Sequence, residues 1–397
     1  SQPVALLAWM RDHSPEVLEN TQWIFECKDY VRFRLTGEPR AELTDYSGAN
    51  LVNLHTAQYD PALLALFGLS DCMEKLPPLC GAAEICGEIT PEAAEKTGLL
   101  AGTKVAGGAF DIDACALAVD VVDEENICMI AGTWSINEYI RPRPVVDGKV
   151  MMNSFFCLPG YYLIEECSPT SAGNNEWFVQ NLLPELKAEL KKTGGNIYQQ
   201  MDRWTDSIPV QEQCPIFFPF LMASNVHPNA MGSFVGMSNF HTRATWPGAY
   251  MRHRFSHRYH LEKLLATRDQ APRGIRLAGG VARSQVWTQM FADVMKLPVE
   301  VVQVNETGAL GCAVIGAAAS GEYASLADAA AHMCRISQPI MPDQIRSRLY
   351  DEKYELYLQA IQALDPLWTA SGIPGPPSPG LIPAGQMVRI NSSMSFW

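Results

Sequence analysis

Apolar positions recur at a helical spacing in the first quarter of the chain. Residues 6–10 have the pattern of the inside of an amphipathic helix, and residues 21–37 predict a second helix that ends at Gly37. Two shorter runs, 60–69 and 90–99, each end in Gly-Leu. They predict two more short helices, so four helices are expected in this region.

Strand-like apolar runs begin after residue 100. Residues 103–106 predict a buried strand that leads into the sequence VAGGAFDID. Residues 126–140 predict two strands joined by a tight Gly-Thr turn, and residues 151–167 predict another pair that turns at Pro159-Gly160. These hairpins mark a change in the hydrophobic pattern that begins near residue 126.

Helices and strands alternate through the rest of the chain. Helices are expected at about 171–182 and 195–204, and the order strand, helix, strand, helix follows over 274–321. This order is typical of an α/β domain with a largely parallel sheet. The change of pattern near 122–126 predicts a domain boundary.

The boundary divides the chain into a first domain over 1–124, a second over 125–367 and a Pro/Gly-rich tail over 368–397. The tail has five prolines in the 27 residues from Ser371 and no periodicity, which predicts disorder. Residues 245–254 interrupt a helical pattern with Trp-Pro-Gly. Both irregular stretches resemble locally shifted reading frames, and natural divergence is the alternative.

Charge and composition narrow the class of protein. A net charge of −13 argues against a nucleic-acid surface, which needs dense Lys and Arg. With 47% hydrophobic and 18% charged residues the chain can bury a sizeable core. The eleven cysteines form no Cys-x-x-Cys pair, and no run of 18 apolar residues or N-terminal leader is found. The sequence predicts a soluble cytoplasmic protein without a nucleic-acid or membrane partner and without a metal site built by side chains.

Two acids stand where the predicted strand 103–106 gives way to a helix. Asp111 and Asp113 follow a Gly-Gly pair at this junction. The positive end of a helix stabilises a carboxylate placed there. Each acid could be a plain helix cap or a chemical group, and the local pattern leaves both interpretations open.

Two glycine turns have the pattern of phosphate-binding loops. Gly132-Thr133 lies between two apolar strands, and Gly279-Gly280 joins a strand to a helix that opens at 282–284. Neither turn has Walker or dinucleotide-binding spacing. An ordinary hairpin turn and a tight β–α turn with Ser284 as N-cap are the alternatives.

Three other clusters have structural explanations. The glycine-rich stretch 306–321 predicts a helix packed very closely against a neighbour. Glu165 and Glu166 are adjacent in a predicted strand and point to opposite faces, so they cannot act as a pair. Residues 168–171 are expected to cap the helix that follows. The histidines at helical spacing are expected to form a solvated basic face: His253, His257 and His260.

Several motifs occur in an order that resembles one family. Over about residues 5–365 they are KDYVRFRLTGEPRAELTDYSGANL, TGLLAGTKVAGGAFD, AGTWSINEYI, SPTSAGNNEWF and RLAGGVARSQVWTQMFADVMKLPVEVVQVNETGALGCAVIGA. Together they resemble the FGGY family of carbohydrate kinases, in the sugar kinase/actin-like ATPase superfamily, and most of all its L-xylulose-phosphorylating members. The resemblance implies an α/β, ribonuclease H-like fold of two domains with a cleft between them. It also implies a truncated first domain, because the Asp-x-Gly phosphate hairpin that opens the family pattern has no counterpart.

The roles of family residues transfer to the matching positions. Asp111 matches the base that takes the proton from the sugar hydroxyl, and Gly108 and Phe110 stand with it on the sugar-binding side. ATP is implied as the phosphate donor, with Mg²⁺ held mostly by phosphates and water. Asp113 matches no chemical role. The positions that match the nucleotide-binding turns are Gly132, Thr133, Gly279, Gly280 and Ala282.

The resemblance implies ATP-dependent phosphorylation of a sugar hydroxyl, with a ketopentose such as L-xylulose as the expected substrate. One alternative is a non-catalytic remnant that binds nucleotide or sugar without turnover, because the first phosphate loop has no counterpart. An actin-like assembly or chaperone ATPase is a weaker alternative, since such proteins need no sugar base. A homodimer is one candidate assembly.

Overall fold

The computed structural model describes residues 2–212, 214–222, 224, 229–239, 241 and 255–370. The predictions made for 245–254 lie outside the described residues. Residues 368–370 of the predicted disordered tail are helical, and its remaining residues, 371–397, lie outside the described residues as well.

The N-terminal part consists of short helices and three two-stranded sheets. Strand β1 pairs with β4 in parallel, whereas β2 with β3 and β5 with β6 are antiparallel. The helices are α1 (Pro3–His13), α2 (Pro15–Glu19), α3 (Cys27–Thr36), α4 (Leu43–Gly48), α5 (Pro61–Leu66), α6 (Pro91–Thr97) and α7 (Asp111–Ala118), with a 3₁₀ turn at Ser70–Lys75. The strands are β1 (Ala41–Glu42), β2 (Val52–Asn53), β3 (Gln58–Tyr59), β4 (Leu79–Cys80), β5 (Ile85–Glu88) and β6 (Lys104–Ala106).

The four helices predicted in this part are confirmed as α1, α3, α5 and α6, with one boundary misplaced. Helix α3 ends at Gly37, which adopts φ +76°, but it begins at Cys27 rather than near residue 21. Ile24 is held in an extended segment because its N–H donates to the Lys75 carbonyl and its carbonyl accepts from the Tyr46 hydroxyl. Strand β6 is present, but the prediction that it is buried is wrong: Lys104 is exposed and Val105 and Ala106 are half-buried in a two-stranded pair with β5.

The C-terminal part is built on one six-stranded sheet with helices on both faces. The strands are β7 (Asn126–Ala131), β8 (Ser135–Arg141), β9 (Met152–Phe155), β10 (Tyr162–Ser168), β13 (Gly274–Ala278) and β14 (Val299–Val301), with a separate pair β11 (Ile216–Phe218) and β12 (Ser233–Val235). The helices are α8 (Ala172–Leu182), α9 (Pro184–Lys192), α10 (Ile197–Ser207), α11 (Phe255–Leu265), α12 (Gln285–Met295), α13 (Thr307–Ala319), α14 (Leu326–Met333) and α15 (Gln344–Ala370).

The order of strands in the large sheet is β14-β13-β7-β8-β10-β9. Strand β13 is parallel to both β14 and β7, and the other three pairs are antiparallel. The prediction of a largely parallel sheet is therefore wrong. The two hairpins, 126–141 and 152–168, can place their strands only in an antiparallel arrangement, whereas the helical crossover after β13 produces a parallel neighbour.

Alternate residues of β7 enter two different cores. Ile127 and Met129 pack in a core that includes Phe291 of α12, and Cys128 packs in the opposite core with Leu117 of α7. All five side chains are fully buried. This α/β/α layering agrees with the α/β fold expected from the sequence.

Helices α7 and α13 join the two parts by direct backbone contact. A Cβ atom at Gly311 of α13 would lie 2.0 Å from the carbonyl oxygen of Ala114 and 2.8 Å from its Cα. Because any side chain larger than hydrogen would overlap this backbone, glycine is required at position 311. The predicted close packing of the glycine-rich helix is confirmed.

Candidate active site

Asp111 is presented by a glycine loop that lies on the segment 81–84. Gly107 and Gly108 donate their N–H groups to the carbonyls of Glu84 and Ala82, at 2.9 and 3.0 Å. A Cβ on Gly107 would lie 2.2 Å from the carbonyl oxygen of Gly81, and Gly108 has φ +81°. The Gly-Gly pair therefore allows a close approach and a left-handed turn that other residues would not.

Buried polar side chains fix both ends of this loop. The Arg32 guanidinium, 3% exposed, donates to the Gly107 carbonyl. At the other end the Phe110 N–H donates to Thr44 Oγ1 at 2.8 Å, and the Thr44 hydroxyl donates to Glu42 Oε2 at 2.6 Å. The loop is thus anchored by α3 and by the start of α4 before Asp111 is reached.

Lys28 forms ion pairs with three carboxylates near the loop. Lys28 Nζ lies 2.8 Å from Asp45, 3.2 Å from Asp29 and 3.3 Å from Glu42. Burial lowers the pKa of Lys28, but the three carboxylates outweigh burial and raise that pKa overall. The ammonium therefore stays charged, and its position beside the Gly108 loop is fixed.

The structure separates the two acids of the motif. Asp111 is exposed at the first position of α7. Asp113 is fully buried, its Oδ1 accepts from the Cys157 N–H at 3.0 Å, and burial raises its pKa well above the ordinary value. Only Asp111 can meet a ligand from solvent, and Asp113 connects α7 to the segment after β9.

Two buried acids that the sequence did not single out as a pair lie on the sheet near Asp111. Glu138 and Glu165 are direct cross-strand partners on β8 and β10. Among the described residues no N–H or O–H group donates to either oxygen of Glu138 or to Oε2 of Glu165, and the Cys128 and Cys167 thiols interact with these two acids. Burial raises the pKa of Glu138 well above its usual range and that of Glu165 to about 7, with the charge of Asp111 adding to both increases. In the sequence, the signal for this pair is that each acid interrupts an apolar strand.

The two predicted phosphate turns are in contact. Gly279 adopts φ +92°, and a Cβ there would lie 2.8 Å from the Ala131 carbonyl oxygen and 3.3 Å from the Gly132 nitrogen. On the other side, the carbonyls of Gly132 and Thr133 accept from the Ala172 and Gly173 N–H groups of α8, at 2.8 and 3.3 Å. The turn 132–134 is therefore held between the strand β13 end and α8, with Thr133 exposed.

The second turn borders a cleft of about 340 Å³. Gly280 and Ala282 lie in a 3₁₀ turn, Gly280–Arg283, and Ser284 caps α12 by accepting from the Trp287 N–H at 3.3 Å. The residues that line the cleft include Gly279, Ala282, Arg283, Asn305 and Thr307. The N-cap expected of Ser284 and the turn expected of the two glycines are both present.

Helix α13 connects this cleft to helix α7, which begins at Asp111. Thr307, at the first position of α13, lines the cleft, and its Oγ1 lies 3.4 Å from Cys115 Sγ. Cys115 is one helical turn beyond Asp111 on α7. The cleft beside Gly279 and Ala282 is therefore connected, through Thr307 and Cys115, to the helix that begins at Asp111.

The histidines of α11 differ from their prediction. His257 is 1% exposed and His260 2% exposed, so the expected solvated basic face is wrong for these two, and His253 lies outside the described residues. His260 Nδ1 is 2.8 Å from Glu166 Oε1, on the face of β10 opposite Glu165. Ser171 holds the N-cap position of α8, but its hydroxyl contacts His257 instead of capping the helix.

In the part of the chain that the structure describes, no group of three or more His, Cys, Asp or Glu side chains could hold a metal ion. Among the described helices, none is long and apolar enough to cross a bilayer.

The N-terminal domain of the FGGY family of carbohydrate kinases matches residues 1–118, and its C-terminal domain matches residues 127–320. The chain belongs to the FGGY family of carbohydrate kinases, whose members phosphorylate sugars with ATP as the donor.

Sequence relatives agree with this assignment. The chain is 35% identical over 372 residues to the L-xylulose/3-keto-L-gulonate kinase of Escherichia coli (strain K12), covering 91% of this chain and 71% of that protein. It is 34% identical over 367 residues to a probable L-xylulose kinase of Pasteurella multocida, covering 91% of this chain and 72% of that protein.

Solved structures share the fold. A xylulose kinase from Rhodospirillum rubrum superposes with a TM-score of 0.80 at 25% identity, over 92% of this chain and 73% of that one. The glycerol kinase of Plasmodium falciparum, solved with ADP, superposes with a TM-score of 0.74 at 16% identity, over 90% of this chain and 70% of that one. The ribonuclease H-like, two-domain fold expected from the sequence is confirmed.

Proposed function

We propose that this carbohydrate kinase phosphorylates a ketopentose, with L-xylulose as the first candidate, and that Asp111 is the base. The substrate class is supported by the names of the relatives that are 34% and 35% identical to the chain. The observation that carries the assignment of the base is the exposure of Asp111 on a loop anchored at both ends, in contrast to the buried Asp113.

In the proposed reaction a sugar hydroxyl attacks the γ-phosphorus of ATP. The hydroxyl proton passes to a carboxylate oxygen of Asp111, the new sugar O–P bond forms, and the bond to the β–γ bridging oxygen breaks to release ADP. Phosphoryl transfer depends mainly on positioning and charge neutralisation. The anchored loop supplies the positioning, with Gly108 and Phe110 beside the sugar.

The two contacting turns are proposed to hold the phosphates. In the first turn Thr133 offers an exposed hydroxyl, whereas the Gly132 N–H already donates to the Trp134 carbonyl at 3.1 Å. The turn with Gly279, Gly280 and Ala282 borders the cleft for the nucleoside end. Mg²⁺ is proposed to be held by the phosphates and water. The ion would neutralise charge on the phosphates. The division at 124/125 and a homodimer stay predictions.

A coupled assay of ADP release tests the proposal. Turnover with L-xylulose should exceed the sugar-free blank, within a panel of pentuloses, hexuloses and polyols. Asp111→Asn should lower kcat at least about a hundredfold, as expected for loss of a general base, without loss of folding. Glu185→Gln is the matched control, because Glu185 is also an exposed acid in the first turn of a helix.

Three outcomes would contradict parts of the proposal. Rates equal to the blank with every sugar, together with measurable ADP binding, would favour the non-catalytic alternative. Turnover confined to hexuloses or polyols would reject the substrate class. Full activity of Asp111→Asn would remove Asp111 from the mechanism.

A further inference from the structure

A buried imidazole connects the two elements on either side of the Gly132-Thr133 turn. His257 Nδ1 lies 2.7 Å from Ser135 Oγ, and its Nε2 lies 3.1 Å from Ser171 Oγ. Ser135 and Ser171 are 0% and 1% exposed, and His257 is 1% exposed. Both ring nitrogens are therefore engaged where water does not compete.

The two serines flank the turn on both sides. Ser135 is the first residue of β8, directly after the turn, and Ser171 directly precedes α8. The first two N–H groups of α8, on Ala172 and Gly173, are those that hold the carbonyls of Gly132 and Thr133. A shift of α8 relative to β8 would thus pull on the turn itself.

The ring has little freedom to move. The imidazole packs against the Phe291 ring in a T-shaped arrangement, at a centroid distance of 5.0 Å and an interplanar angle of 88°. A neutral imidazole donates from one nitrogen and accepts at the other, and a serine hydroxyl can complement either role. His257 therefore sets the spacing between Ser135 and Ser171 by two directional bonds.

We propose that His257 is a positioning residue for the phosphate turn: it fixes α8 against β8 so that the carbonyls of Gly132 and Thr133 stay bound and the exposed side of the turn keeps its geometry toward nucleotide phosphates. This inference rests on the proposed role of Gly132 and Thr133 in phosphate binding. Phosphate recognition by backbone groups depends on fixed donors, since a displaced turn loses several bonds together.

Calorimetric measurement of the affinities for ADP and for adenosine distinguishes a positioning role of His257 from a role in core packing alone. His257→Phe should weaken ADP binding about tenfold, which corresponds to about 1.4 kcal/mol, and should leave adenosine binding within about twofold. Because adenosine has no phosphates, a general loss of structure would weaken both ligands. His260→Asn is the matched control, equally buried on the same helix but bonded to Glu166, and it should change neither affinity.

Conservative variants keep the test decisive if His257→Phe does not fold. An asparagine amide can replace Nδ1 toward Ser135, and a glutamine amide can replace Nε2 toward Ser171. His257→Asn and His257→Gln should each retain part of the ADP affinity, and adding Ser171→Ala should further weaken the glutamine variant only. If every folded His257 variant binds ADP as tightly as the parent protein does, the inference is overturned.

Thr133→Ala distinguishes the two proposals. If it weakens ADP binding while the His257 variants do not, the turn binds phosphate and the inference on His257 is wrong. If neither Thr133→Ala nor any His257 variant changes ADP affinity, the proposed role of the turn fails together with the inference.

Discussion

Replacing Glu165 with glutamine should stabilise the protein increasingly as the pH rises. Glu165 is 5% exposed on β10, directly across from Glu138, and burial raises its pKa from 4.5 to about 7. Below pH 4.5 the residue is protonated in both the folded and the unfolded chain. Between pH 4.5 and about 7 the unfolded chain loses this proton while the folded chain keeps it, so the free energy of unfolding falls.

The size of the effect follows from the two pKa values. At about 1.4 kcal/mol for each pKa unit, the ionised Glu165 costs the folded state about 3 kcal/mol once the pH is above 7, and about 2 kcal/mol at pH 6. Glutamine has nearly the same volume and cannot ionise. The stabilisation by Glu165→Gln should therefore grow from about 2 kcal/mol at pH 6 to about 3 kcal/mol at pH 8.5.

Urea denaturation of both proteins at pH 6 and 8.5, above the isoelectric point near 5.1, measures these free energies. Glu185→Gln, an exposed acid on α9, is the control and should change stability little at either pH. A Glu165→Gln protein that is less stable than the parent at pH 8.5, or one whose advantage does not grow with pH, would refute the reasoning.

Two glycine substitutions test the close approaches around the site. Gly107→Ala should lower kcat at least about tenfold, because its Cβ would overlap the Gly81 carbonyl oxygen and displace the loop that carries Asp111, whereas Gly81→Ala, which meets nothing within 4 Å, should be tolerated in the same ADP-release assay. Gly311→Ala should destabilise the protein by about 1–3 kcal/mol in urea, because its Cβ would lie 2.0 Å from a backbone oxygen of α7. Gly316→Ala on the same helix has open space, so a loss as large as that of Gly311→Ala would contradict the overlap argument.

The spacing of apolar residues predicts most of the helices and strands, because burial of one face sets that spacing. The strands of the two hairpins and the helices α8, α10, α12 and α13 occur where alternation and helical spacing placed them. The start of α3 was misplaced because hydrogen bonds to Lys75 and Tyr46, distant in sequence, hold Ile24 in an extended conformation. Such contacts leave no trace in the local pattern.

The sequence predicts the motifs of the candidate site but not the residues that hold those motifs in place. The Gly-Gly-x-x-Asp and Gly-Thr motifs can be found by eye, and the structure places them at the α7 start and between β7 and β8. The residues that anchor them, such as Arg32 and Thr44, come from distant segments. His257 was misjudged because helical spacing alone does not show which face of α11 is buried.

The contact of Gly311 with Ala114 also has a mechanical consequence. A joint between two backbones has no side chains that could change rotamer, so it resists sliding of α7 along α13 while still permitting rotation about the point of contact. If the N-terminal and C-terminal parts change their mutual angle, this pair of residues is the fulcrum. Asp111 lies only one turn of α7 from that fulcrum, so even a wide rotation would move its carboxylate through a short arc.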